Sequence, residues 1–174
     1  DISIEFLSLN DVVVDDSSLV EGQDFEENAK IKSEFYFKKT GIPTIALDNV
    51  LWIKKWPKDD GVMIHMRKEA NPLSSRATDE EVICFLQNWL DSVGGESEAR
   101  FKYALAYTNE QGTDCFSSTQ RKYILQKKQG KNFWAGYPTE ALLVDAKTGE
   151  HKGDQDNSVR YDAFIKDLAI YSRK

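Results

Sequence analysis

The sequence is short of the residues that build a metal cluster or a cross-linked scaffold. It has two cysteines, Cys84 and Cys115, and two histidines, His65 and His151. The cysteines have no metal-type spacing, which suggests thiols in a reducing compartment and leaves one disulfide open. Neither histidine has a partner at ligand spacing, so both read as surface residues. No apolar run approaches the length needed to span a bilayer, and no signal peptide is seen. Positive charge is also scarce: 23 Lys and Arg stand against 29 Asp and Glu, for a net charge of −6. That balance argues against a nucleic-acid polymer or a membrane surface as partner, since both are polyanionic. It leaves room for a small phosphate ligand, which needs only a local cluster of donors.

What is there suits one domain with a real core: 174 residues, 40% of them hydrophobic, without a repeat or a dividing linker. Ile2 to Leu9 alternates like a short strand, and an acidic connection runs from Asn10 to Glu21. A helix is predicted from near Asp24. Asp24 and Glu27 have capping-box spacing, Phe25, Ala29 and Lys32 recur on one face, and Ile31 and Phe35 widen its apolar surface. Thr40-Gly41-Ile42-Pro43 stops it, with Gly41 free to take a left-handed cap. Thr44 to Leu47 reads as a short strand with Asp48-Asn49 at its end, and Val50 to Ile53 as its resumption. Lys54 to Pro72 reads as irregular. There Lys54, Lys55 and Lys58 surround Trp56 as a small basic patch, a phosphate attractant or, more ordinarily, a solvated face.

A second helix is predicted from Asp79 to Val93, with Thr78 and Glu81 as capping box and Gly94-Gly95 as stop. Val82, Phe85, Leu86, Trp89, Leu90 and Val93 form its apolar stripe, which reads as core packing. Strands follow. Phe101, Tyr103, Leu105 and Tyr107 alternate, Asn109 to Gly112 turns, and Thr113 to Ser118 returns. Tyr123 to Gln126 and Leu142 to Val144 are further short strands, and Asp145 to Gly149 a turn. A last helix is predicted from Asn157 or Ser158, with Phe164, Ile165, Leu168 and Tyr171 inward. The fold class is α/β with a hairpin-rich second half.

Three blocks carry a resemblance. Glu21 to Lys32, E-G-Q-D-F-E-E-N-A-K-I-K, resembles the pattern E-x-G-x-T-F-x-E-N-A-x-x-K-A, one residue shorter at the front. Thr40 to Pro43 resembles T-G-x-P, and Ala46 to Leu51 lines up with A-D-D-S-G-L. Ala99 to Ala106 resembles an A-R-F-x-x-x-L-A strand, and Gly136-Tyr137 sits where F-G-Y-D-P is expected. In this order and spacing the chain resembles the inosine triphosphate pyrophosphatase family (Ham/Rdg type), which cuts non-canonical purine nucleoside triphosphates to monophosphate and pyrophosphate. The resemblance implies a mixed twisted sheet with flanking helices, a nucleoside triphosphate substrate, Mg²⁺ as cofactor, a homodimer and a cytoplasmic location. It also implies a single domain over residues 1–174. The chain opens on Asp1 rather than Met, so the family's first strand and T-x-N-x-x-K phosphate loop, about twenty residues, are expected before it.

The chemistry explains the residue types. Cutting a triphosphate between its α and β phosphorus atoms needs charge neutralisation and an oriented water. Asp48, read at a strand end opening a turn, is the candidate for holding metal or activating water. Glu21 or Glu27 would supply a second carboxylate for a hard cation. Lys32 would meet a phosphate as a point charge. Phe133, Trp134 and Tyr137, with Gly136 between the last two, offer flat faces for a purine. Each has a plainer reading: Asp48 capping a turn, Glu27 in a capping box, Lys32 in solvent, the aromatics in a core or hairpin.

The chain also departs from the pattern. Leu47 stands for the first aspartate of A-D-D-S-G-L, which predicts weaker metal binding, and Asn49 and Val50 replace Ser and Gly. Pro138 stands for the aspartate after G-Y. The closing S-H-R has its nearest match in Asn157 to Asp162, where Arg160 is a partial substitute. Three readings follow: a divergent Mg²⁺-dependent pyrophosphatase, a catalytically degenerate nucleotide-binding or protein-interaction module, or an enzyme for another phosphorylated substrate.

Overall fold

The computed structural model describes residues 5–58, 61–63, 66–73, 77–119 and 122–155. Among the described residues six strands form one sheet: β1, Thr44–Ile53; β2, Val62–Met63; β3, Glu96–Asn109; β4, Gly112–Thr119; β5, Tyr123–Gln126; and β6, Leu143–Asp145. Their order is β2-β1-β3-β5-β6, with β4 also paired to β3. The chain resolves into two compact units: Asp1–Asn49 with Tyr103–Ser118, and Val50–Lys102 with Thr119–Lys174.

The first unit is built on helix α1, Phe25–Thr40. Asp24 caps it by accepting from the Glu27 N–H at 2.8 Å, and Gly41 ends it at φ 69°, a conformation that suits a residue without Cβ. Only half of the predicted capping box forms, because the Glu27 carboxylate pairs with Lys30 Nζ at 3.3 Å. The inner face is small and polar: Asn28, Ala29 and Ser33 are its buried residues. Ala29 packs with Ala104 and Ala106, with Phe25 and Cys115 alongside. Those alanines belong to strand β3, Glu96–Asn109, which turns at Glu110-Gln111 into β4, Gly112–Thr119. Alternation was the expectation along β3. Tyr103 to Ala106 are instead all buried, so both faces of the strand are covered there. Residues 5–9, part of the predicted first strand, carry no strand.

Strand β1 runs unbroken from Thr44 to Ile53. Asp48 therefore lies in mid-strand, and the turn expected at Asp48-Asn49 does not form. The β-favouring residues on either side carry the strand through the two polar positions.

The second unit holds the larger core. Leu51 and Ile53 of β1 join Val82, Ile83, Leu86 and Leu90 of helix α3, Asp79–Ser92, and Tyr123 and Leu125 of β5, Tyr123–Gln126. Both halves of the Thr78–Glu81 capping box are made. The segment expected to be irregular contains β2, Val62–Met63, antiparallel to β1, and helix α2, Met66–Ala70. Strand β5 pairs antiparallel with the start of β3 and with β6, Leu143–Asp145. Two lysines of the basic patch have structural partners. Lys55 Nζ donates to the Val93 and Glu96 carbonyls at 2.8 and 2.9 Å. Lys58 pairs with Glu69 at 2.7 Å, and Trp56 is buried with its ring edge-on to Phe85 and Trp89. His151 is half-buried rather than at the surface. Both cysteines are free thiols. The final predicted helix and His65 lie outside the described residues.

Candidate functional site

In the first unit, α1 and β1 converge on one cluster. Asn28 and Lys32 are four residues apart, so their side chains share a helix face. Asp48 and Ala46 share one face of β1, while Leu47 and Asn49 point to the other. Lys32 Nζ donates to Asp48 Oδ1 at 3.0 Å and lies 3.1 Å from Glu21 Oε1. One ammonium thus bridges two carboxylates. Desolvation of the half-buried Lys32 opposes its charge, but hydrogen bonds and attraction from Asp48 and Glu21 outweigh it and raise its pKa.

Asn28 completes the group, and sequence reasoning did not single it out. It is 7% exposed. Its Oδ1 accepts from the Gly22 N–H at 2.7 Å. Its Nδ2 donates to the Gly22 carbonyl at 3.3 Å and to Asp48 Oδ2 at 3.1 Å. One amide therefore ties the loop carrying Glu21 to the strand carrying Asp48. The available signal was its position one helical turn before Lys32. Glu27 has a separate partner in Lys30.

The aromatic candidates lie in the second unit. Phe133 packs against its core. Trp134 and Tyr137 are 46% and 57% exposed. They flank a turn closed by the Tyr137 N–H donating to the Trp134 carbonyl at 2.8 Å, with Gly136 at φ 90°. That φ in the third turn position is where glycine is favoured. Pro138 opens the buried 3-10 helix Pro138–Ala141, a position that suits a residue with no N–H.

A family model described as the Ham1 family matches residues 2–163. The chain belongs to the Ham1 family. No curated protein matches it in a direct comparison. Among solved structures it is similar to a HAM1 protein from Coxiella burnetii, at TM-score 0.68 and 20% identity over 90% of this chain and 83% of that one. It is also similar to a nucleoside-triphosphatase / dITP/XTP pyrophosphatase from Mycobacterium abscessus, at TM-score 0.66 and 18% identity over 95% and 84%. The Staphylococcus aureus Ham1 protein gives 0.66 and 19% over the same shares. At these identities the likeness establishes the fold: α/β, with an antiparallel twisted sheet and flanking helices.

Leu47 stands where the matched pattern has its first aspartate. Its side chain lies on the face of β1 opposite Asp48 and is 38% exposed. Its loss as a carboxylate leaves the Glu21–Lys32–Asp48 group whole. Arg160 lies outside the described residues. Among the described residues no three of His, Cys, Asp and Glu gather as a metal cluster. Among those same residues no helix is long and apolar enough to cross a membrane.

Proposed function

We propose that this chain hydrolyses nucleoside triphosphates to monophosphate and pyrophosphate, with deaminated purine nucleotides as substrates. The observation that carries the reading is the pairing of one ammonium with two carboxylates, Lys32 with Asp48 and Glu21, on a Ham1-family frame. The dITP/XTP activity in the name of the Mycobacterium abscessus protein supports the substrate class.

The donor set fits Mg²⁺. A hard cation of this size commonly takes one or two protein carboxylates and completes its shell with water and substrate phosphate. Asp48 and Glu21 supply two such groups, 19% and 40% exposed at the side chain. Glu27 is the weaker choice, because its ion pair is with Lys30 and not with the Lys32 that joins Glu21 to Asp48. When bound, Mg²⁺ would neutralise phosphate oxygens and make the phosphorus a better electrophile. The chain's own residues do the rest. Asp48 accepts a proton from the water that attacks the α-phosphorus, and pyrophosphate leaves as the bond from that phosphorus to the bridging oxygen breaks. Lys32 transfers its contacts from carboxylate to phosphate oxygen as a point charge. Asn28 keeps the Asp48 carboxylate oriented through that exchange. In the second unit, Trp134 and Tyr137 offer flat, exposed faces of the kind that stack on a purine.

The test is pyrophosphate release from standard and deaminated nucleoside triphosphates, with and without Mg²⁺. Metal-dependent release favouring inosine or xanthosine triphosphate is expected. Binding without release would leave a nucleotide-binding module instead.

A further inference from the structure

Within the first unit, the place between Glu21 and Asp48 is already held by a cation of the chain's own. The Lys32 ammonium stands 3.0 Å from Asp48 Oδ1 and 3.1 Å from Glu21 Oε1. The second oxygen of Asp48 receives the Asn28 amide at 3.1 Å. Each Asp48 oxygen therefore has a donor before any ligand arrives. Two carboxylates and one ammonium leave a single net negative charge. Among the described residues no third acidic, imidazole or thiol group gathers with them.

Two cations cannot use this place at once. A Mg²⁺ bonded to Asp48 Oδ1 would lie about 2 Å from an oxygen that the ammonium also touches, and the two positive charges would repel strongly at that separation. Mg²⁺ also gives up its water reluctantly, and one net negative charge offers little in return. The lysine makes an exchange workable. Its flexible stem lets the ammonium move while α1 stays in place, and the group is open to solvent, with the Lys32 and Glu21 side chains 21% and 40% exposed. Asn28, by contrast, is buried and tied to Gly22 as well as to Asp48, so it holds the carboxylate when the lysine leaves. A polyphosphate supplies the missing charge: its oxygens draw the ammonium off the carboxylates and bring the metal with them.

We propose that Lys32 is a built-in competitor for the metal, which reserves the Glu21–Asp48 pair for Mg²⁺ that arrives with a triphosphate and keeps it from Mg²⁺ alone. This rests on the reading that Glu21 and Asp48 hold Mg²⁺ for hydrolysis. It gives Lys32 opposite effects on two ligands: the lysine weakens the hold on free metal and strengthens the hold on nucleotide. A lysine that only met phosphate would leave the binding of free metal unchanged, and one that only braced the fold would support both affinities.

The experiment compares the whole chain with Lys32→Met, Lys32→Gln and the Lys32→Met/Asp48→Asn double variant by calorimetry. Two titrations are made of each: Mg²⁺ alone into nucleotide-free protein, and, in saturating Mg²⁺, an inosine triphosphate analogue with a methylene bridge between its α and β phosphorus atoms. Lys32→Met and Lys32→Gln should each tighten free Mg²⁺ about tenfold, because the charge of the ligand set governs affinity. Both should loosen the analogue about tenfold, the loss of one charged contact to phosphate. The double variant should lose the gain in Mg²⁺ affinity, which places the metal at Asp48. Free Mg²⁺ affinity that is unchanged or weaker in Lys32→Met and Lys32→Gln overturns the proposal, as does a gain that survives Asp48→Asn. Metal-dependent pyrophosphate release by the wild type alongside either result spares the hydrolysis reading. Absence of release removes that reading, and the proposal falls with it. Melting temperatures confirm that each variant is folded, and Lys32→Gln keeps a neutral donor for the carboxylates should Lys32→Met prove unstable.

Discussion

Helices α1 and α3 are nearly equal in length and both begin on a capping side chain, yet they are built on opposite principles. α3 buries Val82, Ile83, Leu86 and Leu90. α1 buries Asn28, Ala29 and Ser33. A buried leucine contributes about 1.5–3 kcal/mol from its apolar surface alone, whereas a buried asparagine costs free energy unless its amide is satisfied. The inner face of α1 is therefore held by hydrogen bonds. Asn28 meets Gly22 and Asp48, and Ser33 Oγ donates to the Lys30 carbonyl and accepts from Thr108 Oγ1 at 2.8 Å. A helix that gives up apolar burial in this way fits the catalytic role proposed for Lys32 and Asp48. The contrast predicts that changes on and opposite α1 affect rate, and changes on α3 affect stability.

The sharpest test of that contrast is Asp48→Asn. The swap keeps shape and hydrogen bonding to Asn28 but removes the charge facing Lys32. Turnover should fall about a thousandfold, ~4 kcal/mol in activation free energy, with the fold intact and the melting temperature lowered only slightly, since Lys32 keeps Glu21 as a partner. Full turnover would take Asp48 out of the mechanism. The mirror image is Leu86→Ala, at a side chain with no exposed surface. It should destabilise the protein by about 3 kcal/mol in denaturant titration, with kcat per folded molecule intact. A cost below about 1 kcal/mol would mean that the site collapses around the smaller side chain, contrary to close packing in this core.

α3 was legible in the sequence to within a residue, because its period, capping box and Gly-Gly stop all agree. So were β4, β5 and the cap at Gly41. The strand reading failed at Asp48, because polar residues in mid-strand resemble a turn when the cross-strand neighbours are unknown. The alternation read along Phe101 to Tyr107 failed because Tyr103 to Ala106 are covered on both faces. In the site, Glu21, Lys32 and Asp48 could be proposed from charge and resemblance. Asn28 belongs to the same matched block but was passed over, since an uncharged side chain shows its meaning only through Gly22 and through Asp48, twenty positions away.

Asn28 supplies the next prediction, smaller than the loss of Asp48 itself. Asn28→Ala frees Asp48 Oδ2 and leaves the Gly22 N–H unmet. Activity should drop about ten- to a hundredfold, the usual range for a residue that orients a functional carboxylate, and stability should fall by about 1–3 kcal/mol. Asn28→Asp separates the two effects. It restores an acceptor for the Gly22 N–H but sets a carboxylate against Asp48, so stability should recover more than activity does. Equal recovery of both would reduce Asn28 to a loop anchor.

The smallest effects should come from the caps, where the two helices again differ. Thr78 Oγ1 accepts from the Glu81 N–H at 3.2 Å and Glu81 Oε2 accepts from the Thr78 N–H at 2.7 Å. At α1 only the Asp24 half exists. Thr78→Ala should cost about 1 kcal/mol in denaturant titration. The Glu81 carboxylate is held below its ordinary range by the Thr78 N–H first and the Asn71 amide second. A depressed carboxylate stabilises the fold above its unfolded pKa and loses that contribution as pH falls through its folded pKa. Glu81→Gln should therefore lower the melting temperature slightly at pH 6, and the difference should shrink as the pH falls below the ordinary carboxylate range and the wild-type advantage is lost. A penalty that stays constant as the pH falls would mean that the hydrogen bond matters and the charge does not.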